Sequence, residues 1–336
     1  MNFHIVCEFR ENDFSSKKRK FDVSDRPRAS TIRDFCDTVN ALGHTCTIFG
    51  GINELVHAFD NKTSMPKGIY INFNDGLRGE FGRVQAPILL DLLDVPYANS
   101  NPFVSALLNN KHYTKVIANH YGAKTPKGYL VRKGESFDIV LEQLSCLKFP
   151  IIAKPNNEGS SVGVTQQSVC SCVEEAKAQM DALFAEFDEV IIEEYISGYE
   201  ITNLLFGNQT NISYCDSIAF MLDKETFFYK EVMGANEKTN KLRKSLLADS
   251  VLSHAIVHKI EKLSCKLMIL FDINDLARFD YRVRESGEIY LLEINSLPRL
   301  GRDSDLGFLC SARSISYSAQ IDSYLNGIMQ RLNYTS

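Results

Sequence analysis

The chain has 336 residues, 44% apolar and 24% charged, an ordinary globular balance that can bury one large core or two to three smaller ones. Its net charge of -5 and pI near 5.9 argue against a nucleic-acid binder, which would carry a basic face. No apolar run approaches the ~20 residues of a membrane span, the start leads straight into a strand-like run, and nine cysteines are scattered without a CxxC pair, so a reduced, cytoplasmic protein is expected.

Residues 3–9 (FHIVCEF) read as a first strand. The polar stretch 10–28 contains a basic run at 15–20, and for so short a run a solvated loop is favoured over a localisation or phosphate-binding role. Over 30–42, Ile32, Phe35, Cys36 and Val39 recur at helical spacing, and Gly43 stands where a C-cap would. Residues 45–49 and 68–73 read as further strands, and the alternation predicts a small parallel α/β domain over 1–101. The loop 74–82 (NDGLRGEFG) follows a strand's carboxyl end, where such domains place ligands. Its glycines match neither a dinucleotide fingerprint nor a P-loop, so alone it is a weak signal.

Residues 102–120 read as one helix with Lys111 and Lys115 on one face, and a middle unit is expected over 102–188. There, 149–154 (FPIIAK) form a strand ending at Lys154, and 172–187 form a helix. The loop 155–163 (PNNEGSSVG) can turn backbone N–H groups and hydroxyls toward an anion, with Lys154 adding charge; a plain surface turn is an equal reading for the loop alone. Residues 190–196 (VIIEEYI) read as a strand that 201–207 continue, opening a C-terminal unit over 189–336. Of Glu193 and Glu194 in that apolar strand, one can face solvent, and the other needs a donor such as an adenine amino group or ribose hydroxyl. Residues 230–244 lack periodicity and read as a mobile loop, 246–267 as a helix, and 315–332 as a closing helix.

The runs 276–284 and 288–295 flank Ser286-Gly287 and read as a hairpin. Alternation puts Arg278 and Asp280 on one face of the first strand, and Glu293 and Asn295, with Ile289 and Leu291, on one face of the second. A two-residue loop then sets Asp280 across from Glu293. Adjacent carboxylates repel, and a hard divalent cation such as Mg²⁺ with Asp, Glu and Asn oxygens resolves the conflict. A half-buried salt-bridge network around Arg278 is the alternative. The nearly apolar second strand (IYLLEIN) favours the metal, because a covered carboxylate needs a strong partner. The lysine-plus-Ser/Gly loop, the acidic strand end and the hairpin together suggest an ATP site clamped between two sheets.

In combination, KFPIIAKPNNEGSSVGV, VIIEEYISGYEIT and ARFDYRV…GEIYLLEINSLPRL resemble the ATP-grasp superfamily, and within it the D-alanine–D-alanine ligases, over nearly the whole chain. The resemblance implies an α/β fold, α+β in its C-terminal part: an ATP-grasp fold behind an N-terminal Rossmann-like domain, with ATP between the last two units. It implies that ATP, with Mg²⁺ or Mn²⁺ in its place, converts a carboxylate to an acyl phosphate that an amine attacks. It implies that Lys111 and Lys154 contact phosphates, with Ser160 and Ser161 as loop serines and Ser160 counted with Arg278 as catalytic. Glu193, Glu194 and Ile196 fall on the adenine-binding strand and Glu200 on the ribose-binding glutamate. Asp280, Glu293 and Asn295 match the Mg²⁺ ligands, Arg278 stabilises the acyl phosphate, and Ser304 holds the second substrate's carboxylate.

Departures from the family pattern fall on the amino-acid side. Ser24 and Asp25 stand near the family's substrate-anchoring glutamate, Asp75 replaces a loop histidine, Pro298-Arg299 replaces a Pro-Gly turn, and the usual tyrosine is missing from 230–244. Asp25, Asp75, Arg278, Arg299 and Ser304 are therefore the expected substrate contacts of an amino-acid ligase of altered specificity, a homodimer by resemblance. A cell-wall D-alanine–D-alanine ligase, another ATP-grasp carboxylate ligase and a non-catalytic nucleotide-binding module stand as alternatives.

Overall fold

In the computed structural model, residues 1–9, 26–77, 81–159, 161–232 and 243–334 are described. Strand β1 (Asn2–Val6) pairs in parallel with β2 (Thr45–Gly50) and β3 (Ile69–Asn72), and β4 (Tyr97–Ala98) extends the sheet to the order β2-β1-β3-β4. Helix α1 (Ala29–Ala41) buries Ile32, Phe35 and Val39 against one face and stops before Gly43, whose φ of +86° is the left-handed value glycine adopts freely. Helices α2 (Ile52–Asp60) and α3 (Gly82–Leu92), which the sequence reading did not resolve, cover the other face.

The stretch expected as one helix is two, α4 (Pro102–Asn109) and α5 (Lys111–His120). Asn110 between them leaves the helical region at φ −90° and ψ 102°, and its side chain accepts the Tyr113 amide N–H, so it caps the second helix. A continuous apolar pattern concealed that break. Lys111 and Lys115 nevertheless sit one turn apart on α5, both buried.

In the middle of the chain, β5 (Gly128–Arg132), β6 (Ile151–Pro155), β7 (Val169–Cys170) and β8 (Glu189–Glu194) form an antiparallel sheet of order β5-β8-β6-β7. Helices α6 (Phe137–Ser145) and α7 (Val173–Phe184) pack on one of its faces around Val131, Leu144, Ile151, Met180 and Ile192. Ile152, Lys154, Ile191 and Glu193 share the opposite face, because cross-strand partners point the same way. Gly128 lies opposite Glu193, where an added Cβ would come within 2.6 Å of the glutamate's own Cβ.

Residues 190–207 are not one continued strand. The chain leaves the middle sheet at Glu194 and enters a second one with β9 (Gly198–Gly207). Gly198 is required at the crossing: its φ is +156°, and a Cβ would lie 2.3 Å from the Val283 carbonyl oxygen. The larger sheet adds β10 (Ile212–Leu222), β11 (Phe227–Phe228), β12 (Arg243–Leu247), β13 (Asp275–Val283) and β14 (Ile289–Asn295), in the order β12-β10-β9-β13-β14 with β11 beside β9. The helix expected from 246 begins only at His254, as α8 (His254–Leu270), because β12 and a short 3₁₀ turn occupy the residues before it. The segment read as a mobile loop ends in β12, and its residues 233–242 lie outside the described residues. Helices α9 (Asp305–Arg313) and α10 (Tyr317–Arg331) complete the fold. They join α1, β1 and β3 on one face of the large sheet in a single core, while α4 and α8 cover the other face.

The β13–β14 register sets Asp280 against Glu293 and Arg278 against Asn295, as expected, but not by the expected route. The turn is one residue longer than assumed, since the Arg284 N–H donates to the Glu288 carbonyl. The register then shifts between Asp280 and Tyr281, where Leu292 bulges, and this restores the pairing. Leu291 consequently pairs with Tyr281 on the face opposite Glu293, so the shared face expected for Leu291 and Glu293 does not form. Among the described residues no helix is long and apolar enough to cross a membrane.

Asp275 ties the N-terminal sheet to the large one. Its buried carboxylate accepts from Arg331 Nε at 2.8 Å, from Arg331 Nη2 at 2.6 Å and from the Asn99 amide at 2.8 Å. Replacing Asp275 by Ala strands Arg331 and should destabilise the protein by about 3–5 kcal/mol. Urea unfolding checks this, and an unchanged midpoint would show that apolar packing alone joins the two units.

Candidate active site

The polar face of the middle sheet and one face of the large sheet flank a cavity open to solvent. Parity of the strands decides what lines it. On β13, Arg278, Asp280 and Arg282 point the same way; their β9 partners are Leu204, Thr202 and Glu200. The pairing is chemical as well as geometric: Thr202 Oγ1 donates to Asp280 Oδ1 at 2.7 Å, and Arg282 Nη2 lies 2.8 Å from Glu200 Oε2. Lys111, Lys154, Glu158, Glu193 and Ile196 supply the facing wall.

A buried glutamate, Glu193, and a half-buried one, Glu293, meet a set of cations. Glu193 is held by Lys115 and by Lys154, whose Nζ lies 2.8 Å from Oε1. Burial alone would push Glu193 up, but the two ammonium groups hold it below its ordinary range. Burial pulls Lys115 down to about 8 even against Glu193. The donor that an acidic residue in this strand demanded is thus a lysine pair, and Glu193 acts on the cavity by fixing Lys154. Lys111 donates to the Glu158 carbonyl and lies 3.6 Å from Glu293. Asn156 positions it, accepting the Lys111 N–H on its carbonyl at 3.2 Å and the His112 N–H on its side chain at 2.9 Å. Burial lowers Lys111, with Glu293 opposing.

The metal-type end lies on the hairpin. Arg278 grips Asp280 with two hydrogen bonds, 3.0 and 2.8 Å, and stands 3.9 Å from Glu293. Burial and the neighbouring Glu293 raise Asp280 despite Arg278, whereas Lys111, Lys154 and Arg278 override burial and pull Glu293 far down. The two carboxylates are therefore forced apart, as two anions sharing one site must be. Among the described residues, no group of three or more His, Cys, Asp or Glu side chains converges as a metal cage. Asp280, Glu293 and the Asn295 amide offer hard oxygen atoms only, which suits Mg²⁺ completed by ligand oxygens.

Of the other expected site residues, Ser161 (φ +64°), Glu194 and Ile196 line the cavity, with Glu194 Oε1 accepting the Lys148 N–H at 3.0 Å. Ser160 and Asp25 lie outside the described residues. Asp75 and Arg299 line a second, smaller cavity with Phe35, Phe73, Leu297 and Pro298. Ser304 donates its hydroxyl to the Gly301 carbonyl at 2.6 Å.

Four side chains escaped the sequence reading, and a fifth, Lys115, was placed on one helix face with Lys111 but given no role in the site. Arg282 could have been found from its parity with Arg278 and Asp280. Thr202 required the β9–β13 register. Arg83 reaches from α3 to within 3.1 Å of Asp75 and 3.4 Å of the Asn295 side-chain oxygen. Asp305 lies 3.7 Å from Arg278. No local pattern announced either of the last two.

A family model described as the D-ala D-ala ligase C-terminus matches residues 126–326. D-alanine–D-alanine ligase A of Bacillus cereus is 32% identical over 248 residues, covering 74% of this chain and 76% of that protein. Among solved structures, the D-alanine–D-alanine ligase of Bacillus anthracis complexed with ATP aligns with a TM-score of 0.73 at 21% identity over 98% of both chains. The VanG D-Ala:D-Ser ligase of Enterococcus faecalis aligns with a TM-score of 0.73 at 17% identity, over 97% of this chain and 99% of that one. These likenesses show the expected fold, an α/β ATP-grasp architecture with a Rossmann-like N-terminal domain.

Replacing Glu293 by Gln removes one anion from the hairpin while keeping its shape. Calorimetric titration with ADP should then lose most of the gain in affinity that Mg²⁺ confers, with the far-UV circular dichroism unchanged. Undiminished Mg²⁺ dependence in Glu293→Gln would place the cation elsewhere.

Proposed function

The chain belongs to the D-alanine–D-alanine ligase family, and from that premise we propose that it is an ATP-dependent, ADP-forming ligase joining two amino acids through an acyl phosphate. The observation that carries this reading is the Asp280–Glu293 pair held by Arg278, facing Lys111 and Lys154 across the cavity. Mg²⁺, when bound to Asp280, Glu293 and Asn295, would neutralise triphosphate charge. Lys111 and Lys154 bind the phosphates as point charges, Ile196 and the backbone of Glu193 and Glu194 border the adenine, and Glu200, oriented by Arg282, accepts from the ribose.

In the chemical steps the donor's carboxylate oxygen attacks the terminal phosphorus and ADP leaves. The acceptor's amino nitrogen then forms the C–N bond, the C–O bond to phosphate breaks, inorganic phosphate departs with the electron pair, and the ammonium proton passes to solvent. Arg278 points into the place where negative charge develops in both steps, with Ser161 of the loop lining the cavity beside the phosphates; the catalytic role of Ser160 rests on the resemblance alone. Asp75, Arg299 and Ser304 border the amino-acid side, and Asp25 is kept as a substrate contact on the resemblance alone. There Asp75, which lines an otherwise largely apolar cavity and pairs with Arg83 at 3.1 Å, supports a specificity other than two D-alanines.

The chain divides into an N-terminal unit over 1–101, a middle unit, and a C-terminal unit ending at 336. The expected bounds of those two units are 102–188 and 189–336, and the pairing of β8 within the middle sheet supports moving the boundary between them to 195–197. Exposed apolar side chains on adjoining helices, Phe59, Ile88, Leu92 and Phe103, support a homodimer formed through that face. The protein acts in the cytoplasm on small molecules and binds no nucleic acid.

Mg²⁺-dependent ADP release in a panel of D- and L-amino acids, with hydroxylamine as the trapping amine, tests the reading. At least one amino acid should yield its hydroxamate, and Arg278→Gln should lower kcat by about 10³-fold. Absence of hydroxamate with every amino acid would overturn the ligase assignment; full turnover with D-alanine alone would overturn the altered specificity.

A further inference from the structure

Ligase chemistry at Arg278 requires an amine to arrive from the side that the nucleotide does not fill. Residues 296–304 bound that side: they leave β14, border the second cavity with Leu297, Pro298 and Arg299, and turn into α9. The first residue of that nine-residue helix, Asp305, returns to the reacting end. Its Oδ2 lies 3.7 Å from Arg278 Nη1, and its Oδ1 accepts from Arg243 Nη2 at 3.2 Å. Arg243 is itself fixed, its guanidinium stacked 3.9 Å over the ring of Phe220.

Two guanidinium groups beside a helix N-terminus make a seat for a carboxylate. Here the chain supplies that carboxylate itself. Ser304, the residue before it, has its hydroxyl committed to the Gly301 carbonyl and offers no replacement donor without breaking that bond. Arg278 already faces Asp280, Glu293 and Asp305. A second free carboxylate at this place would meet Asp305 as a like charge, and such juxtapositions are a standard device for rejecting the wrong partner.

We propose that Asp305 is a specificity-determining residue, an internal carboxylate that fills the acceptor's carboxylate seat. The acceptor is accordingly an amino acid whose own carboxylate is masked, as in an amide, an ester or the N-terminal residue of a peptide, and a free amino acid is a poor substitute. This deepens the ligase reading given above and rests on it.

The test takes the donor identified by hydroxylamine trapping and compares D- and L-alaninamide with D- and L-alanine as acceptors, in the unaltered protein and in Asp305→Asn. The quantity read is the amide-to-acid ratio of kcat/KM within each protein, so a general loss of activity or of folded protein cancels. The unaltered protein should favour the amide by roughly tenfold or more, and Asp305→Asn should reduce that ratio by about tenfold. A preference for the free acid, or a ratio that Asp305→Asn leaves unmoved, overturns the inference while the hydroxamate reaction stands. Failure of the hydroxamate reaction with every donor overturns the ligase reading, and this inference falls with it.

Discussion

Two carboxylates side by side on neighbouring strands, in a face where water is scarce, are the constraint around which this protein is arranged. Asp280 and Glu293 cannot both be ionised there without nearby positive charge. The chain sends that charge from three separate elements: Arg278 from β13 itself, Lys154 from the middle sheet and Lys111 from α5. At an effective dielectric near 20, two unit charges 4 Å apart interact by about 4 kcal/mol. These contacts therefore contribute to how the two walls of the cavity meet. The middle sheet has its own apolar core, distinct from those of the large sheet. Charge joins them across the cavity together with neutral contacts such as the Gln166 side-chain N–H to the Val232 carbonyl at 2.9 Å.

The same economy explains Glu193. Its carboxylate is buried to 1% exposure between Lys115 and Lys154, so the lysine proposed to bind the phosphates is anchored by the chain itself. A site of this kind is organised in advance for an anion bearing its own cation, and that economy suits phosphoryl transfer, where positioning and electrostatics do most of the catalytic labour.

Much of this was legible in the residues. Strand alternation alone put Arg278, Asp280, Glu293 and Asn295 on one patch, and the structure agrees. It agrees through a longer turn compensated by a bulge at Leu292, which no composition or periodicity signals. The break at Asn110 was hidden for a similar reason, since an asparagine cap inside an apolar pattern looks like one more polar position. The apparent continuity of 190–207 failed because periodicity reports whether a segment is extended, not which sheet it joins. Long-range partners were the least readable. Arg83 and Asn295 are 212 positions apart, and only the assembled fold brings them together.

On the amino-acid side the pattern is one of internal pairing. Asp75 meets Arg83, and Asp305 meets both Arg243 and Arg278, so charges that could recognise substrate are partly matched within the chain. The proposed nucleotide side is paired as well, Lys154 with Glu193, Lys111 with the Glu158 carbonyl and Glu200 with Arg282, but around an open cavity. The account rests on the hairpin being a cation seat, and crystals grown with ADP and Mn²⁺ test it most directly. Anomalous scattering should place Mn²⁺ in direct coordination with oxygens of Asp280, Glu293 and Asn295, with the diphosphate reaching Lys111 and Lys154. Ordered nucleotide with the manganese peak away from those three side chains, or with no peak, would contradict the account.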